Sequence, residues 1–172
     1  LDNGKTRYTA NRGMEELRIE ICKFLNRKYN LEYDAKTDVV VTVGGSEAID
    51  LAVRSLVQAG DEVLIPEPSF VCYEPIVKLA GGVPVVIELK SDNDFVLTPE
   101  QLEEKITPNT KALVLPYPCN PTGGIMRKAD LEKIAPIIKK YDLMVISDEI
   151  YAELTYSGER HVSIAEIDDM WE

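Results

Sequence analysis

The chain has 172 residues, 45% of them hydrophobic and 28% charged, which is enough to bury the core of one globular domain. Thirty acidic residues against nineteen basic ones give a formal charge of -11, so a nucleic-acid partner would meet net repulsion. Three cysteines, Cys22, Cys72 and Cys119, lack metal-site spacing, and their odd number suggests neither a disulfide framework nor a zinc site.

A reducing cytoplasm is the simplest compartment for such a chain. No apolar run approaches the roughly 20 residues of a membrane helix, and the N-terminus lacks the basic-then-apolar pattern of a signal peptide. The start at Leu1 rather than Met leads us to expect sequence upstream.

Residues 14–29 read as an amphipathic helix, with Leu17, Ile21, Phe24 and Leu25 at spacings of three and four. Residues 39–43 are a β-branched run that predicts a strand, ending at Gly44-Gly45 and followed from Ser46 by a helix with Ile49, Ala52, Val53 and Leu56 on one side. The alternation continues with a strand over 62–65, a helix over 70–79 stopped by Gly81-Gly82, and a strand over 83–89.

Thr98 can cap the next helix, with Pro99 at its first position and Gln101 placed to reach back in a capping box. A strand over 111–117, a helix over 128–141 and a last buried strand over 143–147 complete the series. Pro136 falls inside that last helix and is expected to kink it. Five strands with intervening helices predict an α/β domain: three layers, α/β/α, around a mostly parallel sheet.

In such sheets ligands gather at the carboxyl ends of strands, so the loops there carry the functional expectation. Gly44-Gly45-Ser46-Glu47 joins a strand to a helix N-terminus, where free N–H groups and a positive dipole end suit a phosphate; a glycine turn with a serine cap is the alternative. Pro66-Glu67-Pro68-Ser69-Phe70-Val71-Cys72-Tyr73 places aromatic rings after a strand, for stacking on a planar group or for the core.

Pro116 to Gly124 is dense in prolines and glycines. Its Asn120 amide can donate to a phenolic oxygen or bond its own turn. Ser147-Asp148-Glu149-Ile150-Tyr151 ends an apolar strand with two carboxylates. Either Asp148 meets a cation, such as a pyridinium nitrogen, or one of the two caps a helix. The lone His161 falls in a polar stretch after Ser157-Gly158 and is expected on the surface.

Taken in order, Asn120-Pro121-Thr122-Gly123, then Ser147 to Tyr151, with Gly44 to Ala48 upstream and Arg7-Tyr8-Thr9 through Gly13 near the start, resemble the class I and II aminotransferases. The resemblance covers essentially the whole chain. It implies that residues 1–172 are part of the large, cofactor-binding domain of a fold type I enzyme that uses pyridoxal 5'-phosphate, with later strands and the small domain absent.

On this resemblance Gly45, Ser46 and Glu47 hold the cofactor phosphate, Phe70 stacks on the pyridine ring, and Asp148 pairs with the protonated ring nitrogen. Asn120 and Tyr151 hydrogen-bond the phenolic oxygen, and Tyr8 reaches the phosphate of the neighbouring subunit in a homodimer. Phe70, Asn120, Asp148 and Tyr151 are expected to converge on one cavity, and the peptides before Pro68 and Pro121 to be cis. Phe70 stands where well-known members carry Trp.

The expected activity is amino-group transfer between an amino acid and a 2-oxo acid. The lysine that binds the cofactor covalently and the arginine that clamps the substrate carboxylate would follow Glu172, so this piece is expected to be inactive alone. The resemblance also places later strands between residues 39–43 and 143–147. A carbon-sulfur lyase of the same fold and a non-catalytic cofactor-binding scaffold are the alternatives.

Overall fold

The computed structural model describes residues 4, 6, 8–156 and 158–171. It divides into two compact units, Leu1–Ala48 and Ile49–Glu172. In chain order the elements are α1 (Glu15–Tyr29), α2 (Gly45–Leu56), β1 (Glu62–Glu67), α3 (Tyr73–Leu79), β2 (Val83–Glu88), α4 (Pro99–Lys105), β3 (Thr110–Leu115), α5 (Lys128–Lys140) and β4 (Met144–Ser147). Short 3-10 turns lie at Ser91–Asn93 and Ile164–Glu166.

The first unit contains α1, which ends at Asn30 in the left-handed conformation. Its buried anchor is Arg18, whose Nε donates to the Gly13 carbonyl at 3.3 Å and whose Nη1 donates to the Ala35 carbonyl. Residues 39–43 do not form the expected strand. Among the described residues they join no ladder, and the Val41 N–H donates instead to the Arg12 carbonyl at 3.0 Å. β-branched side chains favour extended backbone, but a strand also needs a partner edge. Gly13 has φ +95°, and a Cβ there would lie 2.6 Å from Val41 Cβ.

In the second unit four strands, not five, form a sheet in the order β2-β1-β3-β4, and every neighbouring pair is parallel. The period of two sorts their side chains into two cores. Leu64, Leu113 and Leu115 join Leu102 of α4 and Leu131, Ile134 and Ile138 of α5 on one face. On the other, Val63, Ile65, Ala112 and Val114 pack with Ile49 and Val53 of α2 and Tyr73 and Val77 of α3. Helices therefore cover both faces, as the three-layer reading requires.

Helix α3 begins at Tyr73, not at residue 70. A start at residue 70 would place Pro75 in the helix interior, removing a backbone donor and forcing a clash, whereas from Tyr73 it lies in the tolerated first turn. The start of α4 is the one expected: Gln101 N–H donates to Thr98 Oγ1 at 3.3 Å, Thr98 N–H to Gln101 Oε1 at 3.1 Å, and Pro99 occupies the first turn. Helix α5 runs through Pro136 to Lys140. No helix among the described residues is long and apolar enough to cross a membrane.

Beyond β4 the expectation for His161 fails: it is buried, and its Nε2 lies 2.9 Å from Glu149 Oε2. Glu149 Oε1 accepts from Ser147 Oγ at 2.7 Å and from Ser163 Oγ at 2.8 Å. A carboxylate turned inward gives the imidazole a reason to leave water. Burial pushes the Glu149 carboxyl upward, but the bonds from His161, Ser147 and Ser163 outweigh it and hold the group below its ordinary value.

Thr98→Ala removes the cap of α4 and is expected to cost about 1 kcal/mol in urea unfolding. A carboxyl depressed in the folded state contributes stability that is full above its ordinary pKa of 4.5 and is lost as pH falls through the lower folded value. Stability measured from neutral pH downward should therefore decline in that window. Glu149→Gln should lower stability at neutral pH and flatten the decline.

Candidate functional site

Because all four strands run in one direction, their carboxyl ends share one edge of the sheet. The segments leaving β1, β3 and β4 there are the ones singled out by composition. The Asp148 N–H donates to the Leu115 carbonyl at 3.1 Å, which carries the β3–β4 pairing one residue past the strand and fixes the backbone of Asp148. The loop after β3 is tied to the loop after β1 by Cys119 Sγ, 3.4 Å from the Pro68 carbonyl. Three X–Pro peptides in these loops are cis: the expected ones before Pro68 and Pro121, and a third before Pro118.

Asp148 is half-buried and receives two donors, both neutral. The Tyr73 phenol donates to Oδ2 at 2.9 Å and the Ile150 N–H to Oδ1 at 3.3 Å. The second bond is a short turn, since the residues that follow are not a helix for either Asp148 or Glu149 to cap. The two carboxylates thus part ways: Glu149 is satisfied by His161 and two serines, while Asp148 points at a phenol. Tyr73 itself is 3% exposed, and burial followed by the Asp148 charge pushes its phenol well above the ordinary tyrosine value.

Phe70 precedes α3 and is 40% exposed, so it is not a core residue. Its ring meets that of Tyr73 edge to face, with centroids 6.2 Å apart and planes at 82°. Tyr73 therefore touches both Phe70 and Asp148. The sequence placed it only among the aromatic rings after a strand; the usable signal was two aromatics three residues apart at a helix start.

In the loop after β3 the turn is made by backbone and by Thr122. Gly123 N–H donates to the Cys119 carbonyl at 2.8 Å, Cys119 N–H to the Gly124 carbonyl at 2.9 Å, and Gly124 N–H to Thr122 Oγ1 at 3.1 Å. The exposed Asn120 amide is outside these bonds. Asn120 and Tyr151 line a cavity of about 440 Å³ together with Pro118, Ile125, Leu154 and Tyr156.

Phe70 and Asp148 do not line that cavity and are joined instead through Tyr73. The Tyr73 phenol holds Asp148 on the side of α3, and the cavity lies between the loop after β3 and residues 151–156. The segments carrying the four residues leave one edge of the sheet.

In the first unit Gly44, Gly45, Ser46 and Glu47 are exposed at the start of α2. Gly44 has φ +90°, a conformation natural to glycine, and a Cβ at Gly44 or Gly45 would meet nothing within 4 Å. The Glu47 side chain bends back to accept the Val43 N–H. That leaves the first-turn N–H groups, which have no partner inside a helix, as the donors on offer. Tyr8 is exposed, and Arg7 lies outside the described residues.

A family model described as aminotransferase class I and II matches residues 2–171. The chain is 45% identical over 172 residues to the aminotransferase-named protein YugH of Bacillus subtilis (strain 168), covering 100% of this chain and 44% of that protein. It is 43% identical over 172 residues to an aspartate aminotransferase of Pyrococcus abyssi (strain GE5 / Orsay), again over 100% and 44% of the two. The solved aromatic aminotransferase from Pyrococcus horikoshii OT3 matches at a TM-score of 0.96 and 42% identity, over 99% of this chain and 46% of that one. The chain spans less than half the length of these relatives. Matched by the family model along nearly all of its length, it belongs to the class I and II aminotransferases, a family of pyridoxal-phosphate-dependent enzymes.

Proposed function

We propose that the protein containing this chain transfers an amino group between an amino acid and a 2-oxo acid, and that these residues are the platform for pyridoxal 5'-phosphate. The observation that carries the reading is Asp148: a half-buried carboxylate at a strand end whose two donors, Tyr73 and the Ile150 N–H, are both neutral. Such a group fits a cationic ring nitrogen, and the exposed face of Phe70 beside Tyr73 fits the plane of a ring. When bound, the cofactor supplies an electron sink for the charge left at the substrate α-carbon once its proton departs.

The chain's own residues act on that group by holding it. Asp148 keeps a proton on the ring nitrogen by offering the charge that pairs with it. Phe70 orients the ring by its face. Asn120 and Tyr151, on the wall of one cavity, donate to the phenolic oxygen. Gly45, Ser46 and Glu47 offer the N–H groups of a helix start to the phosphate, and the Ser46 hydroxyl adds one bond. Tyr8 serves the phosphate of a second subunit in a homodimer.

In the full-length protein Asp148→Asn is expected to lower kcat sharply while leaving the thermal midpoint of the apoprotein near that of the parent, measured with aspartate or an aromatic amino acid and 2-oxoglutarate. Unchanged kcat would remove Asp148 from the site. Ser46→Ala is expected to weaken cofactor binding by about 1 kcal/mol in a fluorescence titration, the net value of one hydrogen bond. Equal affinity in the two proteins would take the hydroxyl out of the phosphate site.

A further inference from the structure

Buried phenols need an acceptor, and the second unit contains two that solve the problem differently. Tyr117 is satisfied by backbone: its hydroxyl donates to the Phe95 carbonyl at 2.8 Å and accepts the Leu97 N–H at 3.1 Å. Tyr73 is satisfied by the Asp148 carboxylate, 75 positions further along the chain. A backbone carbonyl serves a purely structural phenol without placing a charge beside it, so the choice of a carboxylate calls for a reason.

The geometry points to Tyr73 as a positioning residue: its phenol orients and tunes the Asp148 carboxylate, and its ring contact holds Phe70, so that one buried side chain sets both the charge and the ring offered to a cationic aromatic ring. This rests on the reading of Asp148 and Phe70 given above. The phenol is a donor because burial and the neighbouring carboxylate keep its proton on it through neutral pH. A donor on Oδ2 stabilises the ionised carboxylate, which lowers its affinity for a proton. Between Asp148 and a ring nitrogen the shared proton then stays on the nitrogen.

The ring of Tyr73 is held in the core with Ile76 and Val77 of α3 and Ile65 of β1, so it does not move with solvent. Its edge contact with Phe70 fixes the plane of a ring that is otherwise exposed.

The test uses the full-length holoenzyme loaded with nitrogen-15-labelled pyridoxal phosphate, with the ring-nitrogen signal followed across pH. Tyr73→Phe, which keeps the ring and its contact with Phe70, makes Asp148 the stronger base and should move the ring-nitrogen signal toward its unprotonated position at a pH where the parent nitrogen carries the proton. Replacing Tyr73 by 3-fluorotyrosine, a stronger donor of nearly the same shape, should move it the opposite way and guards against a folding defect in the first variant. A merely structural role would shift the thermal midpoint and leave the ring-nitrogen signal where it was.

Asp148→Asn is the control on the underlying reading. If it moves the signal and both Tyr73 replacements leave it unchanged, the proposal falls and the reading of Asp148 stands. If Asp148→Asn moves nothing, the reading of Asp148 falls and takes the proposal with it.

Discussion

Parallel pairing across β1, β3 and β4 is the constraint on which the site depends. Parallel strands cannot be joined by hairpins, so each connection climbs back over a face of the sheet, and each strand delivers its carboxyl end to the same edge. Three segments with little in common in sequence are thereby placed side by side: the loop carrying Phe70, the loop carrying Asn120, and the turn carrying Asp148 and Tyr151. The bond from Asp148 N–H to the Leu115 carbonyl continues the β3–β4 pairing past the strand. The position of the carboxylate is therefore set by sheet register, not by a flexible loop.

Neighbouring carboxylates at that edge have opposite fates because successive residues of an extended chain face opposite ways. Asp148 turns toward α3 and the Tyr73 phenol, whereas Glu149 turns toward the segment that returns with His161 and Ser163. Glu149 has the bonds that offset its burial and holds that segment against the strand end. Among the described residues Asp148 has only neutral donors, and a charge in that state remains able to bind a cation. The polar closure at Glu149 leaves the neighbouring carboxylate open without the edge itself coming apart.

What could be read in the sequence was what is local. The Thr98-Pro99-Gln101 start of α4 depends on four consecutive residues, and it forms as expected. The strands of the second unit announce themselves by apolar runs ending in loops of proline and glycine. Residues 39–43 carry the same signal but lack a partner edge, which composition cannot supply. The burial of His161 depends on Glu149, twelve positions away, and the lone histidine in a polar stretch carried no sign of it. The family was legible as an ordered set of motifs; not legible was the contact between Tyr73 and Asp148, which joins residues 75 positions apart.

That contact is in turn a consequence of where α3 begins. Pro75 costs less in the first turn of a helix than in its interior, which favours the observed start at Tyr73 and leaves residues 70–72 outside α3. From there the Tyr73 side chain enters the core beside β1, and its hydroxyl reaches the end of β4 past the intervening β3. Phe70, three residues earlier and outside the helix, remains 40% exposed and in edge-to-face contact with the Tyr73 ring. Pro75 thus favours the helix start that puts Tyr73 in the core and leaves Phe70 outside the helix. The same backbone constraint that shortens α3 separates the packing role from the binding role.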